Sequence, residues 1–232
     1  MSIARTVLDM GSALAAVVFD FDGLLMDTES TMLASWEFEW QQWGRTLDRT
    51  TFFADHGGDV TDSHYAALAR AVGPGFDRDL SHARRIAHRE NLHAGLDLAD
   101  GIVQWLEDAR AVGLRLAVAS SSPMAWVEGH LRRVGVRDAF DVIACGDEVD
   151  DHKPAPDVYL LALQRLGTAD GCVAVEDTPH GVDAAHAAGL PCVAIPNPFV
   201  QPDRVAHAEV VLASARDSAL LDVMSAALAQ QD

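Results

Sequence analysis

The chain predicts an α/β fold: a parallel sheet covered by helices on both faces, with a helical insertion after the first strand. Three observations predict it. Short apolar runs alternate with amphipathic stretches through the second half of the 232 residues. Those runs are continuously apolar, as in strands buried on both faces. The stretch from about 27 to 95 has helical spacing and no strand run.

The elements follow in order. "ALAAVVFD" (13–20) has the apolar, β-branched character of a first strand. "ESTMLASWEFEWQQWG", "VTDSHYAALARAVG" and "FDRDLSHARRIAHRENLHAG" read as helices of the insertion. Trp36, Trp40 and Trp43 fall at i, i+4 and i+7. That stripe is expected to form the insertion's own core. His82, His88 and His93 share the third helix with arginines, as a solvated polar face. "LRLAVAS" (114–120) is a strand, and "PMAWVEGHLRRVG" a helix closing at Gly135. "FDVIACG" (140–146) is a strand, followed by the helix "APDVYLLALQRLG" (155–167). Strand "GCVAVED" (171–177), helix "PHGVDAAHAAG" (179–189) and strand "PCVAIP" (191–196) continue the alternation. "EVVLAS" (209–214) is a weaker strand before a last helix, roughly 216–229.

Bulk composition excludes some function classes. The formal net charge is −18, from 35 acids against 17 bases. Such a surface repels nucleic acid and anionic membranes, so neither is an expected partner. It also repels small anions, so an anion site must be built locally from dipoles, a metal or a few cations. Cys145, Cys172 and Cys192 lie in or beside apolar runs and form no CxxC pair. They read as buried small hydrophobes, and their odd count fits a reducing compartment. The start, "MSIARTVLDMGSALAAVVFDFDG", resembles a leader only faintly. Asp9 interrupts the apolar stretch, and "DFD" stands where a small-residue cleavage site belongs. A cytoplasmic protein is expected. No apolar run reaches the length of a membrane span.

Ligands of open parallel sheets bind beyond the carboxyl ends of the strands. Asp20, Phe21, Asp22 and Gly23 follow the first strand; Ser120, Ser121 and Ser122 stand at the end of the second. Glu176 and Asp177 follow "GCVAV", and Lys153 lies in the loop after "FDVIACG". Lys153 is the chain's one lysine; the other 16 basic residues are arginine. Four carboxylates in one crevice repel each other and need cations. Mg²⁺ suits a few carboxylates plus waters and substrate oxygens, and one ammonium offsets part of the remaining charge. Such a set can transfer a phosphoryl group to a carboxylate. A second carboxyl two residues on can protonate the leaving oxygen and later deprotonate water.

The segments "DFDGLLMDT", "VASSS", "KPAPDVY" and "VEDTPHGVDAAHAAG" resemble, in order, the four motifs of the haloacid dehalogenase superfamily. They cover the chain from about residue 14 to 196. The insertion resembles the small helical cap of the β-phosphoglucomutase-like branch. The resemblance implies a doubly wound, Rossmann-like core (1–26 and 96–232) and a cap (27–95). The insertion's two chain crossings predict hinges near Leu24–Asp27 and Ala94–Leu98. Carried onto matching positions, it makes Asp20 the nucleophile and a Mg²⁺ ligand. It makes Asp22 the general acid/base, with its backbone carbonyl on the metal. Ser120, Ser121 and Lys153 would bind phosphate, with Ser120 and Lys153 also counted as catalytic. Asp177 would ligate the metal directly, and Glu176 directly or through water. Thr28 matches a threonine near the leaving group, but reads equally well as part of a helix cap with Asp27. His180 is expected at the surface. His152 stands where related sequences often have glycine.

Dehalogenases lack the second aspartate of the first motif, so Asp22 argues against dehalogenation. Phosphonate cleavage needs a cap lysine, and this insertion has none. Hexose phosphate mutases carry a cap histidine and arginine. Here "ESTM" (29–32) lacks the histidine, and "HGGDVTDS" (56–63) has Asp59 and Val60 where a second phosphate wants a cation; His56 and Arg45 are nearby but offset. The expected activity is a Mg²⁺-dependent phosphatase acting on a small phosphorylated metabolite, with a sugar or polyol phosphate the leading class. A β-phosphoglucomutase-type mutase and a non-catalytic phosphometabolite-binding module are the alternatives. The sequence sets no oligomeric state; a monomer is the default.

Overall fold

The structure is a computed structural model, and it describes residues 14–52 and 61–230. In chain order the elements are β1 (Ala16–Phe19), α1 (Thr28–Gln42), α2 (Arg49–Phe52), α3 (Thr61–Val72) and α4 (Arg78–Ala94). Then come α5 (Ile102–Val112), β2 (Arg115–Ser120), α6 (Met124–Arg133), β3 (Val142–Cys145), α7 (Asp157–Leu166) and β4 (Cys172–Glu176). The chain ends with α8 (Pro179–Ala187), β5 (Cys192–Ala194), β6 (Val210–Val211) and α9 (Leu220–Leu228). Chain packing divides it into two compact units, Met1–Met26 with Asp97–Asp232, and Asp27–Leu96.

In the larger unit the strands form one all-parallel sheet in the order β3-β2-β1-β4-β5-β6. The strand order reverses at β1, which pairs with β2 on one side and β4 on the other; this is the switch point where such sheets bind ligands. Even-numbered β1 and β4 residues (Ala16, Val18, Cys172, Ala174) share one core with Val158, Tyr159 and Ala162 of α7 and Val182 of α8. Strand side chains alternate, so the next even positions, Asp20 and Glu176, continue toward the same face. The register pairs Phe19 with both Val118 and Val175, which brings Asp20 level with Ala119 and Glu176 one residue on.

α5 corresponds to no expected element. It begins after Gly101 and ends at Gly113, both in the left-handed conformation, and buries Ile102, Trp105, Leu106 and Ala109. The last helix begins at Leu220 rather than near 216. Ala215–Asp217 form a separate 3-10 turn, capped by the Ser214 side chain. The weak strand shrinks to Val210–Val211 at the sheet edge. The three cysteines are buried and free.

The smaller unit corrects two expectations. Of the tryptophan stripe only Trp36 is fully buried; the other buried α1 residues are Thr28, Leu33, Ser35 and Glu39. Glu39, itself fully buried, accepts hydrogen bonds from Trp43 Nε1 (2.7 Å), Ser81 Oγ (2.7 Å) and Arg84 (2.7 Å). The histidines do not form one solvated face. His82 is exposed, His88 stacks on Phe38 at 4.0 Å, and His93 is buried 2.9 Å from Thr31 Oγ1. Asp27 caps α1 by accepting from Ser30 N, while the buried Thr28 hydroxyl has no hydrogen-bond partner among the described residues. The readings at Asp9, His56, Asp59 and Val60 lie outside the described residues.

Candidate active site

Lys153 is the centre of the arrangement. Its ammonium donates to Asp20 Oδ1 (2.5 Å), Glu176 Oε1 (2.6 Å) and the Ala119 carbonyl (2.9 Å). These acceptors stand at the carboxyl ends of three adjacent strands, level in the sheet register. The lysine comes from the loop between β3 and α7, and its side chain is 8% exposed. The Lys153–Pro154 peptide is cis. All three ammonium protons are thus used, which a point donor with three rotatable N–H groups permits.

Glu176 is held from two further sides. Tyr159 on α7 donates to Oε1 at 2.7 Å, and Asp177 N donates to Oε2 at 3.2 Å. The first turn of α8 lies directly on this carboxylate: a Cβ at Gly181 would collide with it. Asp177 accepts from Asn197 Nδ2 at 2.7 Å, and Asn197 is itself oriented by accepting from Phe199 N at 2.9 Å. Gly23 turns at φ +82°, and a Cβ there would strike the Asp177 carboxylate. That glycine lets the chain after β1 pass close to β4.

Asp20, Glu176 and Asp177 are buried, and one carboxylate oxygen from each lies within 4.8 Å of those of the other two. Against one ammonium, ionising all three carboxylates would leave a surplus of two negative charges in a buried site. Burial first, with Glu176 adding to it, pushes the Asp20 carboxyl up to about 8 against the pull of Lys153. Burial opposes the Lys153 charge, but Asp20 and Glu176 outweigh it and raise its pKa above the ordinary value. A hard divalent cation satisfies both the oxygen donor set and the charge surplus, so these residues fit Mg²⁺.

The Asp22 carboxylate stands outside this group; the role expected of Asp22 at the metal runs through its backbone carbonyl. Its side chain is held elsewhere, by Ser122 Oγ on Oδ2 (2.6 Å) and Trp126 Nε1 on Oδ1 (3.0 Å). Ser120 is buried, and its Oγ accepts from Ser122 N at 3.0 Å. The Ser121 side chain is exposed and makes no hydrogen bond among the described residues. His180 is half-buried on α8. The structure therefore gathers Asp20, Lys153, Glu176 and Asp177 directly, with Asp22 in the loop after β1 and Ser120 at the end of β2. It adds Tyr159, Asn197 and Trp126, which the sequence did not single out, and gives Ser122, named only as a strand-end serine, a partner in Asp22. Of these, only Tyr159 and Ser122 lie inside the quoted motifs.

The chain is similar to known proteins. Residues 17–195 match the family described as haloacid dehalogenase-like hydrolases. The CbbY protein of Rhodobacter capsulatus is 34% identical over 208 residues, covering 84% of this chain and 91% of that protein. The fructose-1-phosphate phosphatase YqaB of Escherichia coli is 32% identical over 184 residues, covering 77% of this chain and 95% of the relative. Among solved structures, CbbY of Rhodobacter sphaeroides, crystallised with phosphate and, as a mutant, with xylulose-(1,5)bisphosphate, superposes with a TM-score of 0.71. It is 29% identical and covers 90% of this chain and 99% of its own.

Proposed function

The chain belongs to the haloacid dehalogenase-like hydrolase family, and from that premise we propose that it is a Mg²⁺-dependent phosphatase of small sugar or polyol phosphates working through an aspartyl phosphate. One observation carries the reading: the Lys153 ammonium bridges Asp20 and Glu176 inside a buried three-carboxylate cluster. Phosphatase activity is supported by the E. coli relative's name, and sugar phosphates by that relative and the xylulose bisphosphate complex of CbbY.

Asp20, Glu176 and Asp177 would hold the metal with the Asp22 carbonyl, and Mg²⁺ there would neutralise the surplus carboxylate charge and the phosphoryl oxygens. Asp20 attacks phosphorus: the new bond forms from its carboxylate oxygen while the ester P–O bond breaks. Lys153 holds Asp20 in place and offsets charge on a non-bridging oxygen. The Ser120 hydroxyl, fixed by Ser122 N, is free to donate to another. Asp22 gives its proton to the leaving alcohol oxygen. In the second half, Asp22 takes a proton from water as the water oxygen bonds to phosphorus and the Asp20–phosphorus bond breaks. Asp20 returns as a carboxylate and inorganic phosphate leaves.

Phosphate release from a metabolite panel with Mg²⁺ tests the proposal. Asp20→Asn should abolish turnover of every substrate the parent accepts. Equal rates for that variant and the parent would refute the mechanism. Conversion of a β-hexose 1-phosphate to its 6-phosphate with a bisphosphate primer, in place of phosphate release, would establish the mutase instead.

A further inference from the structure

We propose that Trp126 is a positioning residue of the leaving-group step: with Ser122 it clamps the Asp22 carboxylate in a single orientation. This rests on the phosphatase reading above, with Asp22 as acid/base.

Both carboxylate oxygens of Asp22 are taken, each by a different donor from the segment after β2. Ser122 Oγ donates to Oδ2 at 2.6 Å, and the Trp126 indole donates to Oδ1 at 3.0 Å. An aspartate in a loop beside a turn has several rotamers open to it; two donors on opposite oxygens select one. The donors are themselves fixed. Ser122 N donates to Ser120 Oγ at 3.0 Å, and Ser122 O accepts from Gly146 N at 3.0 Å. Trp126 stands in the first turn of α6, with His130 edge-on against it one turn later at 4.3 Å. His130 in turn packs near Phe21, the residue between Asp20 and Asp22, at 6.1 Å.

The two donors differ chemically. An indole N–H only donates, so the oxygen it faces is kept as an acceptor. A hydroxyl can donate or accept, so Ser122 can stay bonded to the Asp22 carboxyl whether that group gives or takes a proton.

The test exploits the leaving group. A sugar alkoxide must be protonated as it departs, whereas nitrophenolate departs as a stable anion. A clamp on the general acid therefore acts mainly on alkyl esters, while a merely structural role lowers both rates alike. For the parent, Trp126→Phe, Ser122→Ala and Ser122→Thr, kcat is measured with Mg²⁺ on an alkyl phosphate from the panel (fructose 1-phosphate or glycerol 2-phosphate) and on p-nitrophenyl phosphate. The ratio of the two on one preparation cancels any loss of folded enzyme. Trp126→Phe and Ser122→Ala should each lower the alkyl-to-aryl ratio by roughly tenfold or more, part of what a general acid supplies. Ser122→Thr, which keeps the hydroxyl, should restore it. Either of the first two variants decides the matter if the other is insoluble. Unchanged ratios in these variants, with a ratio that does fall in Asp22→Asn, would overturn the proposal while leaving the phosphatase reading intact. An unchanged ratio in Asp22→Asn would overturn it through its premise, and a parent inactive on every ester would remove the phosphatase reading itself.

Discussion

Lys153 shows how far one residue can be read. It is the chain's only lysine and lies in a predicted strand-end loop, so composition and position alone mark it out. The geometry says why arginine does not replace it. Three N–H groups reach three acceptors within 2.9 Å from an almost closed position. A guanidinium is broader and planar and cannot converge on Asp20, Glu176 and a main-chain carbonyl at once. Lys153→Arg should therefore lose at least about a hundredfold in kcat, comparable to removing a preorganised charge-stabilising donor, with an unchanged far-UV circular dichroism spectrum. Near-normal turnover would reduce the lysine to an accident of composition. Asp20, Asp22 and the acidic pair were legible for a similar reason, since each stands where a strand run ends. Tyr159, Asn197 and Trp126 were not. Their partners lie 17, 20 and 104 residues away, and local spacing carries no record of such pairings.

At the scale of elements, the helix α8 is seated on the end of β4 through Gly181. The Glu176 carboxylate occupies the volume a methyl group at that position would need, so Gly181→Ala must push either the helix or the carboxylate aside. A loss of roughly 1–3 kcal/mol in denaturant unfolding is expected, together with weaker Mg²⁺ binding by calorimetry. Unaltered values of both would mean that α8 is not packed on the site. The helix α7 is tied to the 3-10 turn Gly146–Glu148 by Arg165, which donates to Glu148 Oε1 at 2.7 Å. That hydrogen bond first, and Cys145 N with it, holds the Glu148 carboxyl below its ordinary 4.5. A depressed acid stabilises the fold above its unfolded pKa and loses that contribution as pH falls through the folded one. Glu148→Gln should flatten the stability profile below about pH 4.5 and leave its slope near neutrality unchanged, as read from urea midpoints; an identical acid limb would dismiss the pair. The alternation of strands and helices was legible because strands buried on both faces are apolar throughout, and Gly135, Gly167 and Gly189 punctuate the helices. α5 carried the same signal in Ile102, Trp105, Leu106 and Ala109 at i, i+3, i+4 and i+7, without a motif to draw attention to it. The start of α9 was misplaced because the Ser214 cap makes a 3-10 turn that periodicity cannot separate from a helix.

For the whole molecule, charge links folding to function. The chain carries −18 overall, and the larger unit buries Asp20, Glu176 and Asp177 against the single Lys153 ammonium. Surface acids keep their hydration, but buried ones do not, and an uncompensated buried charge is costly. The fold thus retains a destabilising cluster at the switch point of its sheet. The unfolded chain scatters the same carboxylates into water, where they bind a cation weakly. A cation that binds only the native arrangement adds RT ln(1 + [L]/Kd), about 2.7 kcal/mol at a hundred times Kd. Thermal unfolding should therefore shift upward on adding Mg²⁺ and return on chelation, with no substrate present. Asp177→Asn removes a donor and one of the repelling charges. It should raise the midpoint of the metal-free protein, or leave it unchanged, while abolishing the Mg²⁺-dependent rise. A parent whose midpoint ignores Mg²⁺, or a variant that keeps the full shift, would show that the three carboxylates are not the cation's site.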